Sequence, residues 1–212
     1  MSSVPRAVIG RLSLYLRELQ RLVRDGKATT SSTQIGRLLG FTDAQVRKDL
    51  AYFGQFGYPG IGYRCEELIE EIKRILGTDR QWPVALIGAG NLGRALLGYK
   101  GFADQGFHLV AAFDVDAEKV GKKIGNVDIF PLDDLPKKAE ELAIRLAVVT
   151  VPTESAPEVA EKLIEAGIDG ILNFAPVTLS TTSAAHIQGV DLAIELEQLS
   201  FAVVHEIPPP SP

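Results

Sequence analysis

Residues 84–93 read VALIGAGNLG. An aliphatic run that spells a buried strand leads straight into Gly88-Ala89-Gly90-Asn91-Leu92-Gly93, which spells the turn after it. In such a turn each glycine has a separate task. Gly88 permits the tight reversal, Gly90 lets a pyrophosphate approach the backbone, and Gly93 lets the next helix pack close to the strand. The helix start then offers free N–H groups and a partial positive charge to phosphate. The glycine spacing alone is weak evidence, and its surroundings strengthen it. The next strand, HLVAAFD, ends on Asp114, twenty-one positions after Gly93. Asp114 is placed to accept hydrogen bonds from an adenosine ribose, and its charge would repel a 2′-phosphate. The motif therefore predicts NAD(H) as cofactor rather than NADP(H).

Downstream, the pattern alternates strands and helices: strands at 83–87, 108–113, 127–130, 145–151, 169–174 and 190–193, with helices at 91–99, 155–166 and 194–204. Continuous apolar runs such as LAVVTV (146–151) fit a parallel sheet covered on both faces. Thr150-Val151-Pro152 and Asn173-Phe174 fall at strand ends, on the carboxyl edge where open α/β sheets bind ligands. The expected cofactor contacts are therefore residues 88–93, Asp114, Thr150, Val151, Pro152, Asn173 and Phe174.

Upstream, the apolar positions of Pro5–Arg24 recur at helical spacing, and Asp25-Gly26 ends that helix. Ser31-Ser-Thr-Gln34 and Thr42-Asp-Ala-Gln45 are two capping-box spellings, each opening a short helix, with Gly40 between them. A longer helix followed by two short capped ones has the outline of a helix-turn-helix. Aromatics around Pro59-Gly60 then predict a hairpin of two very short strands about a type II turn, which is a wing. Arg47 and Lys48 sit near the start of the third helix, where a recognition helix meets base edges and phosphates. Tyr52 lies one turn beyond Lys48. Ser31 and Ser32 can offer donors to phosphate, and the wing would bring Tyr58, Gly60 or Tyr63 beside a DNA backbone. The wing carries no arginine between Gln55 and Tyr63, which favours tracking of phosphates over minor-groove insertion.

Charge divides the same way. Residues 1–64 hold ten Lys/Arg against four Asp/Glu, a balance of +6, and residues 65–212 hold twelve against twenty-three, a balance of −11. A basic N-terminal third on an acidic remainder predicts two domains with different partners. A hydrophobic content of 46% is enough to bury a core. No apolar run is long enough to span a bilayer, so no membrane partner is expected and a cytoplasmic location is. The single cysteine, Cys65, excludes a disulfide framework and a cysteine metal cluster, and His108, His186 and His205 are too scattered to suggest a metal site.

An oxidoreductase with an N-terminal regulatory domain is the alternative reading of the glycine turn. It needs a substrate domain and a proton donor near the nicotinamide. The Rossmann-like unit takes up roughly residues 82–189, and no catalytic constellation is evident, so the expectation is a chain that is not an enzyme. A regulator sensing coenzyme A is a third reading, disfavoured by an Asp114 suited to a free ribose diol.

Five stretches together carry a resemblance: VRKDLAYFGQFGYPGIGY (46–63), IGAGNLG (87–93), AAFDVD (111–116), TVP (150–152) and GILNFAP (170–176). Over almost the whole chain the sequence resembles the Rex family of bacterial redox-sensing transcriptional repressors. The resemblance implies a winged-helix DNA-binding domain over 1–77 and a Rossmann NAD(H)-binding domain over 78–189. It also implies a C-terminal segment, 190–212, with a strand, a helix swapped onto the partner of a homodimer, and a disordered tail IPPPSP. It further implies binding to palindromic double-stranded operator DNA, released by NADH and not by NAD⁺. Asp191, in the V-D-L stretch, and Tyr99 match the family's inter-subunit pair linked to the oxidised state.

Overall fold

The computed structural model describes residues 4–179 and 185–206. The expectation for the 207–212 tail lies outside the described residues. These residues fall into two compact units, one running through Arg80 and the other over Gln81–Glu206.

The first unit is mainly helical. Helix α1 (Arg6–Arg24) carries Leu12, Tyr15, Leu16 and Leu19 on its buried stripe. Strand β1 (Thr29–Thr30) leads into α2 (Ser32–Leu39), where Ser31 Oγ accepts the Gln34 amide at 3.1 Å. Gly40 ends α2 in the left-handed region at φ 73°, where a side chain would be strained. Thr42 Oγ1 caps α3 (Asp43–Ala51) in the same way, accepting the Gln45 amide at 3.1 Å. Both caps fall where a hydroxyl three residues before a glutamine predicts them. Strand β2 (Tyr63–Arg64) and α4 (Cys65–Leu76) complete the unit, with Leu68 and Ile72 of α4 buried against the α1 stripe.

The wing differs from expectation. Tyr58 and Gly62 form a single antiparallel bridge around Pro59-Gly60, with Gly60 at φ 76°. Tyr63–Arg64 pairs instead with Thr29–Thr30. A segment broken by Gly54, Gly57, Pro59, Gly60 and Gly62 cannot sustain a ladder, so the second strand finds its partner before α2.

The second unit is a seven-stranded sheet. Its strands are β3 (Trp82–Ile87), β4 (Phe107–Asp114), β5 (Lys123–Ile124), β6 (Val127–Pro131), β7 (Leu146–Val149), β8 (Gly170–Asn173) and β9 (His186–Gly189). They lie in the order β5-β6-β4-β3-β7-β8-β9, and every pairing except β5 with β6 is parallel. Helices α5 (Asn91–Leu97), α6 (Leu135–Glu141) and α7 (Ala156–Glu165) connect strands, and α8 (Leu192–Val204) follows β9. One core, around Ile87, Phe113, Val149 and Leu163, covers one face, and another, around Leu86, Ala112 and Val148, covers the other. Alternate residues of the same strands serve opposite faces, so both must be apolar. That is the physical source of the continuous apolar runs.

Three features depart from the sequence reading. Strand β5 and helix α6 are additional. The strand expected at 190–193 is His186–Gly189, and Asp191 is the N-cap of α8, its Oδ1 accepting the Ala193 amide at 2.9 Å. The polar, edge-lying HIQG has no apolar signature, whereas VDLA does, so apolar patterning points to 190–193 instead.

No helix among the described residues is long and apolar enough to cross a membrane.

Candidate functional site

Strand order reverses beside β3. From β3 the chain moves through β4 to β6 on one side, then returns to place β7 on the other. Ligands of open α/β sheets bind at such a reversal, outside the carboxyl ends of the strands. The glycine turn stands there. The Gly88 amide donates to the Phe113 carbonyl at 2.8 Å, and the Thr150 amide to the Ile87 carbonyl at 2.8 Å. Thr150 Oγ1 donates to the Gly88 carbonyl at 2.7 Å. The end of β7 therefore holds the turn from behind.

The three glycines test whether a dinucleotide fits. Gly88 lies at φ 95°, and a Cβ there would stand 2.8 Å from the Thr150 carbonyl oxygen. A Cβ on Gly93 would stand 3.0 Å from Thr150 Oγ1 and run into the Gly88 carbonyl. Gly90 has nothing within 4 Å of the Cβ position, so the space above it is open. Two glycines thus make the turn possible, and the third keeps its outer side clear. The amides that precede Arg94 have no acceptor within their own helix, because the first intrahelical bond runs from Arg94 N–H to the Gly90 carbonyl at 2.9 Å. Asn91 and Leu92 are exposed at this helix start, and Ala89 is buried. This cradle fits a pyrophosphate.

Asp114 is more committed than the sequence suggests. Its Oδ2 accepts the Ala89 amide at 2.8 Å and Lys119 Nζ at 3.1 Å, and its Oδ1 accepts the Asp116 amide at 2.9 Å. A carboxylate offers about four acceptor sites, so roughly one is left for a ribose hydroxyl. Burial alone would raise its pKa, but the Asp116 and Ala89 amides and the Lys119 ammonium outweigh that and hold it below the usual carboxylate range. Lys119 is the residue that sequence reasoning missed. Its approach depends on the turn after Asp114, and no spacing rule marks it.

The other expected contacts divide. Val151 and Pro152 follow Thr150 at the carboxyl edge. Asn173 is buried and spends its side chain on its own loop. Its Nδ2 donates to the carbonyls of Ala175 and Val177, both at 3.0 Å, and its Oδ1 accepts the Ala175 amide at 3.0 Å. Phe174 packs against the second core cluster. His108, second residue of β4, lies at the opposite edge, where its Nε2 contacts Gln81.

In the first unit, Arg47 and Lys48 are exposed on α3. Arg47 Nη1 donates to Asp43 Oδ2 at 2.6 Å and to Ser32 Oγ at 3.3 Å. Tyr52 is exposed one turn on. Tyr58 is exposed, its hydroxyl donating to Glu67 at 3.0 Å while the Arg64 guanidinium lies over its ring at 4.8 Å. Arg64 is thus an arginine of the wing, one residue past the segment expected to lack one. Gly60 is open, and Ser31 is occupied as a cap. Tyr63 does not lie on this surface: it is 9% exposed and belongs to the helical core. The expectation that the wing brings Tyr63 beside DNA fails because its strand pairs with Thr29–Thr30 and its ring joins the core.

Behind this surface Asp49, 0% exposed, joins α3 to α1. It accepts Arg11 Nε at 2.5 Å and Nη2 at 2.8 Å, the Tyr15 hydroxyl at 2.7 Å and Gln45 Nε2 at 2.7 Å. Every oxygen is satisfied, which makes a buried charge tolerable.

Helix α8 buries none of its residues among those described, although Leu192, Leu196, Leu199 and Phe201 are large and apolar. Tyr99 is exposed, with its ring edge-on to Phe102 at 5.1 Å. No grouping of metal-ligating side chains occurs among the described residues.

Two family models match, one described as "CoA binding domain" over residues 79–177 and one as "Putative DNA-binding protein N-terminus" over residues 3–51. A curated relative from Carboxydothermus hydrogenoformans, named redox-sensing transcriptional repressor Rex, is 44% identical over 94% of this chain and 96% of its own. One of the same name from Pelotomaculum thermopropionicum is 45% identical over 96% of this chain and 95% of its own. Among solved structures, RSP in complex with β-NAD⁺ and operator DNA superposes with a TM-score of 0.91 at 33% identity, covering 97% of this chain and 95% of that one. RSP in complex with β-NADH gives 0.86 at 32% identity, covering 97% of both.

Proposed function

The chain belongs to the Rex family of redox-sensing transcriptional repressors, and from that premise we propose that it binds operator DNA as a homodimer and is released by NADH. The observation that carries this reading is the presence, in one chain, of the open glycine cradle at the sheet reversal and of exposed Arg47 and Lys48 on a doubly capped helix pair.

The cradle formed by residues 88–93 would hold the pyrophosphate, with Thr150 fixing the turn and Asp114 meeting the adenosine ribose through its remaining acceptor site. Val151, Pro152, Asn173 and Phe174 would line the crevice, Asn173 by shaping the loop rather than by direct contact. The bound cofactor supplies a difference in charge: the nicotinamide of NAD⁺ is cationic and planar, and that of NADH is neutral. A ligand shifts a two-state equilibrium only by its differential affinity for the two states, so the pocket must discriminate these rings.

Arg47 and Lys48 would meet base edges and phosphates in the major groove. Ser31, Tyr52, Tyr58 and Gly60 would track the backbone, while Ser32, buried and accepting Arg47 Nη1, and Tyr63 would support them from within. Half-sites of a palindrome lie one helical repeat apart, about 34–36 Å, so a small rotation between the two DNA-binding units of a dimer spoils simultaneous contact. Helix α8 would supply the dimer contact by docking on the partner subunit. Each of its large apolar side chains contributes on the order of 1.5–3 kcal/mol when buried. Tyr99 and Asp191 would pair across that interface. Among the described residues the cap engages Asp191 Oδ1, which would leave Oδ2 for this pairing. The protein would act in the cytoplasm, with the DNA-binding function carried by residues 1–77 and the NAD(H)-binding function by residues 78–189.

Titration of DNA binding with NADH, NAD⁺, NADPH and coenzyme A side by side tests the reading. Release by NADH alone is expected. Release by coenzyme A, the ligand in the description of one matched model, would favour that nucleotide instead.

A further inference from the structure

Asp43 stands where a DNA-binding protein gains little from an acid. It lies in the first turn of α3, on the exposed side that carries Arg47 and Lys48. A carboxylate there repels phosphates, and an exposed i,i+4 ion pair contributes little to stability. The geometry gives it another use. Asp43 Oδ1 accepts the Ala44 amide at 2.7 Å, which fixes the carboxylate on its own helix. Its Oδ2 then accepts Arg47 Nη1 at 2.6 Å. The same Nη1 donates across to Ser32 Oγ on α2 at 3.3 Å. Nη1 has two hydrogens, and both are used.

What remains of the guanidinium is Nε and Nη2, which share one edge of the plane. Guanine presents O6 and N7 as paired acceptors in the major groove, and an arginine reads them with two parallel N–H groups. Two edges of a free arginine could do so: Nη1 with Nη2, or Nε with Nη2. With Nη1 committed, only the second edge is available, and the rotamer is set before DNA arrives.

We propose that Asp43 is a specificity-determining residue, which with Ser32 holds Arg47 so that its Nε–Nη2 edge reads one guanine in each half-site. The inference rests on the DNA-binding reading above. It adds to that reading that discrimination at the Arg47 position depends on a residue that itself repels DNA. Arg47 is 56% exposed, so its orientation is not otherwise enforced by packing.

The experiment selects duplexes from a randomised pool with the full-length wild-type protein, then measures the affinity of each variant for the selected duplex, for single-base changes in it, and for random duplex. Asp43→Ala is expected to lower the preference for guanine at one position per half-site by roughly tenfold. Its affinity for random duplex should be unchanged or higher, because a like charge has gone. Asp43→Asn, which keeps the shape and the acceptor oxygen without the charge, should fall between. In an Arg47→Lys background, Asp43→Ala should alter the base preferences no further, since the two residues act as one unit. Base preferences unchanged in Asp43→Ala, or specific and random affinities falling by one common factor, would overturn the proposal. Thermal melting and NADH titration of each variant confirm that it is folded, and Asp43→Asn serves should Asp43→Ala fold poorly. A wild-type protein that selects no sequence would count against the DNA-binding reading itself, which is a distinguishable failure.

Discussion

The Thr150 hydroxyl donates to the Gly88 carbonyl at 2.7 Å, so the end of β7 and the glycine turn after β3 are joined across the reversal of the sheet. The turn is not a free loop that a ligand must organise. It is braced before any cofactor arrives.

Replacing Thr150 by valine removes that brace and keeps the shape. The Gly88 carbonyl loses a donor, and the expected loss is about 1–2 kcal/mol of stability. NADH affinity should fall several-fold, read by nucleotide fluorescence. An affinity equal to wild type would show that the brace does not serve the site.

Gly88 and Gly90 should separate folding from binding. Gly88→Ala places a side chain at φ 95° against the Thr150 carbonyl, and should cost at least about 1–2 kcal/mol in a thermal melt. Gly90→Ala meets nothing within 4 Å and should melt like wild type. It should nonetheless weaken NADH binding, because the added methyl occupies the open side. Wild-type affinity in Gly90→Ala would mean the pyrophosphate lies elsewhere.

Asp49 predicts an acid limb. Burial pushes its pKa up, but hydrogen bonds from Arg11, Tyr15 and Gln45 more than offset this and leave it below the ordinary value. A group whose folded pKa is depressed contributes stability that is present above its unfolded pKa of about 3.9 and is lost as pH falls through the folded value. Urea unfolding should therefore show stability declining below about pH 4 in wild type and a flatter slope there in Asp49→Asn. Asp49→Ala, which leaves Arg11 and Tyr15 unpaired, should lose about 3–5 kcal/mol. Identical acid slopes in wild type and Asp49→Asn would exclude this origin.

Helix α8 predicts the assembly. A charge at Leu199 should shift sedimentation from dimer to monomer and weaken binding to palindromic DNA while leaving a single half-site unaffected. A dimer that persists in Leu199→Glu would place the interface elsewhere.

What the sequence made legible is local chemistry. Ser31 and Thr42 cap their helices as their spacing to Gln34 and Gln45 predicts, because a cap involves only neighbours. The apolar runs of β3 and β7 and the glycine turn were legible for the same reason. What escaped depends on contacts distant in sequence or on edges. Asp49 meets Arg11 across 38 positions, and Lys119 reaches Asp114 only through a turn that no periodicity marks. Tyr63 looked outward until its strand paired with Thr29–Thr30. The edge strand β9 is short and polar, so nothing in HIQG announces it.

The most direct measurement holds the total dinucleotide concentration constant, varies the NADH to NAD⁺ ratio, and reads occupancy of a selected palindromic duplex by fluorescence anisotropy. The account predicts that occupancy falls steeply as the NADH share rises and is retained in NAD⁺ alone. Occupancy that stays flat across the whole range of ratios, with NADH shown to be bound, would contradict it.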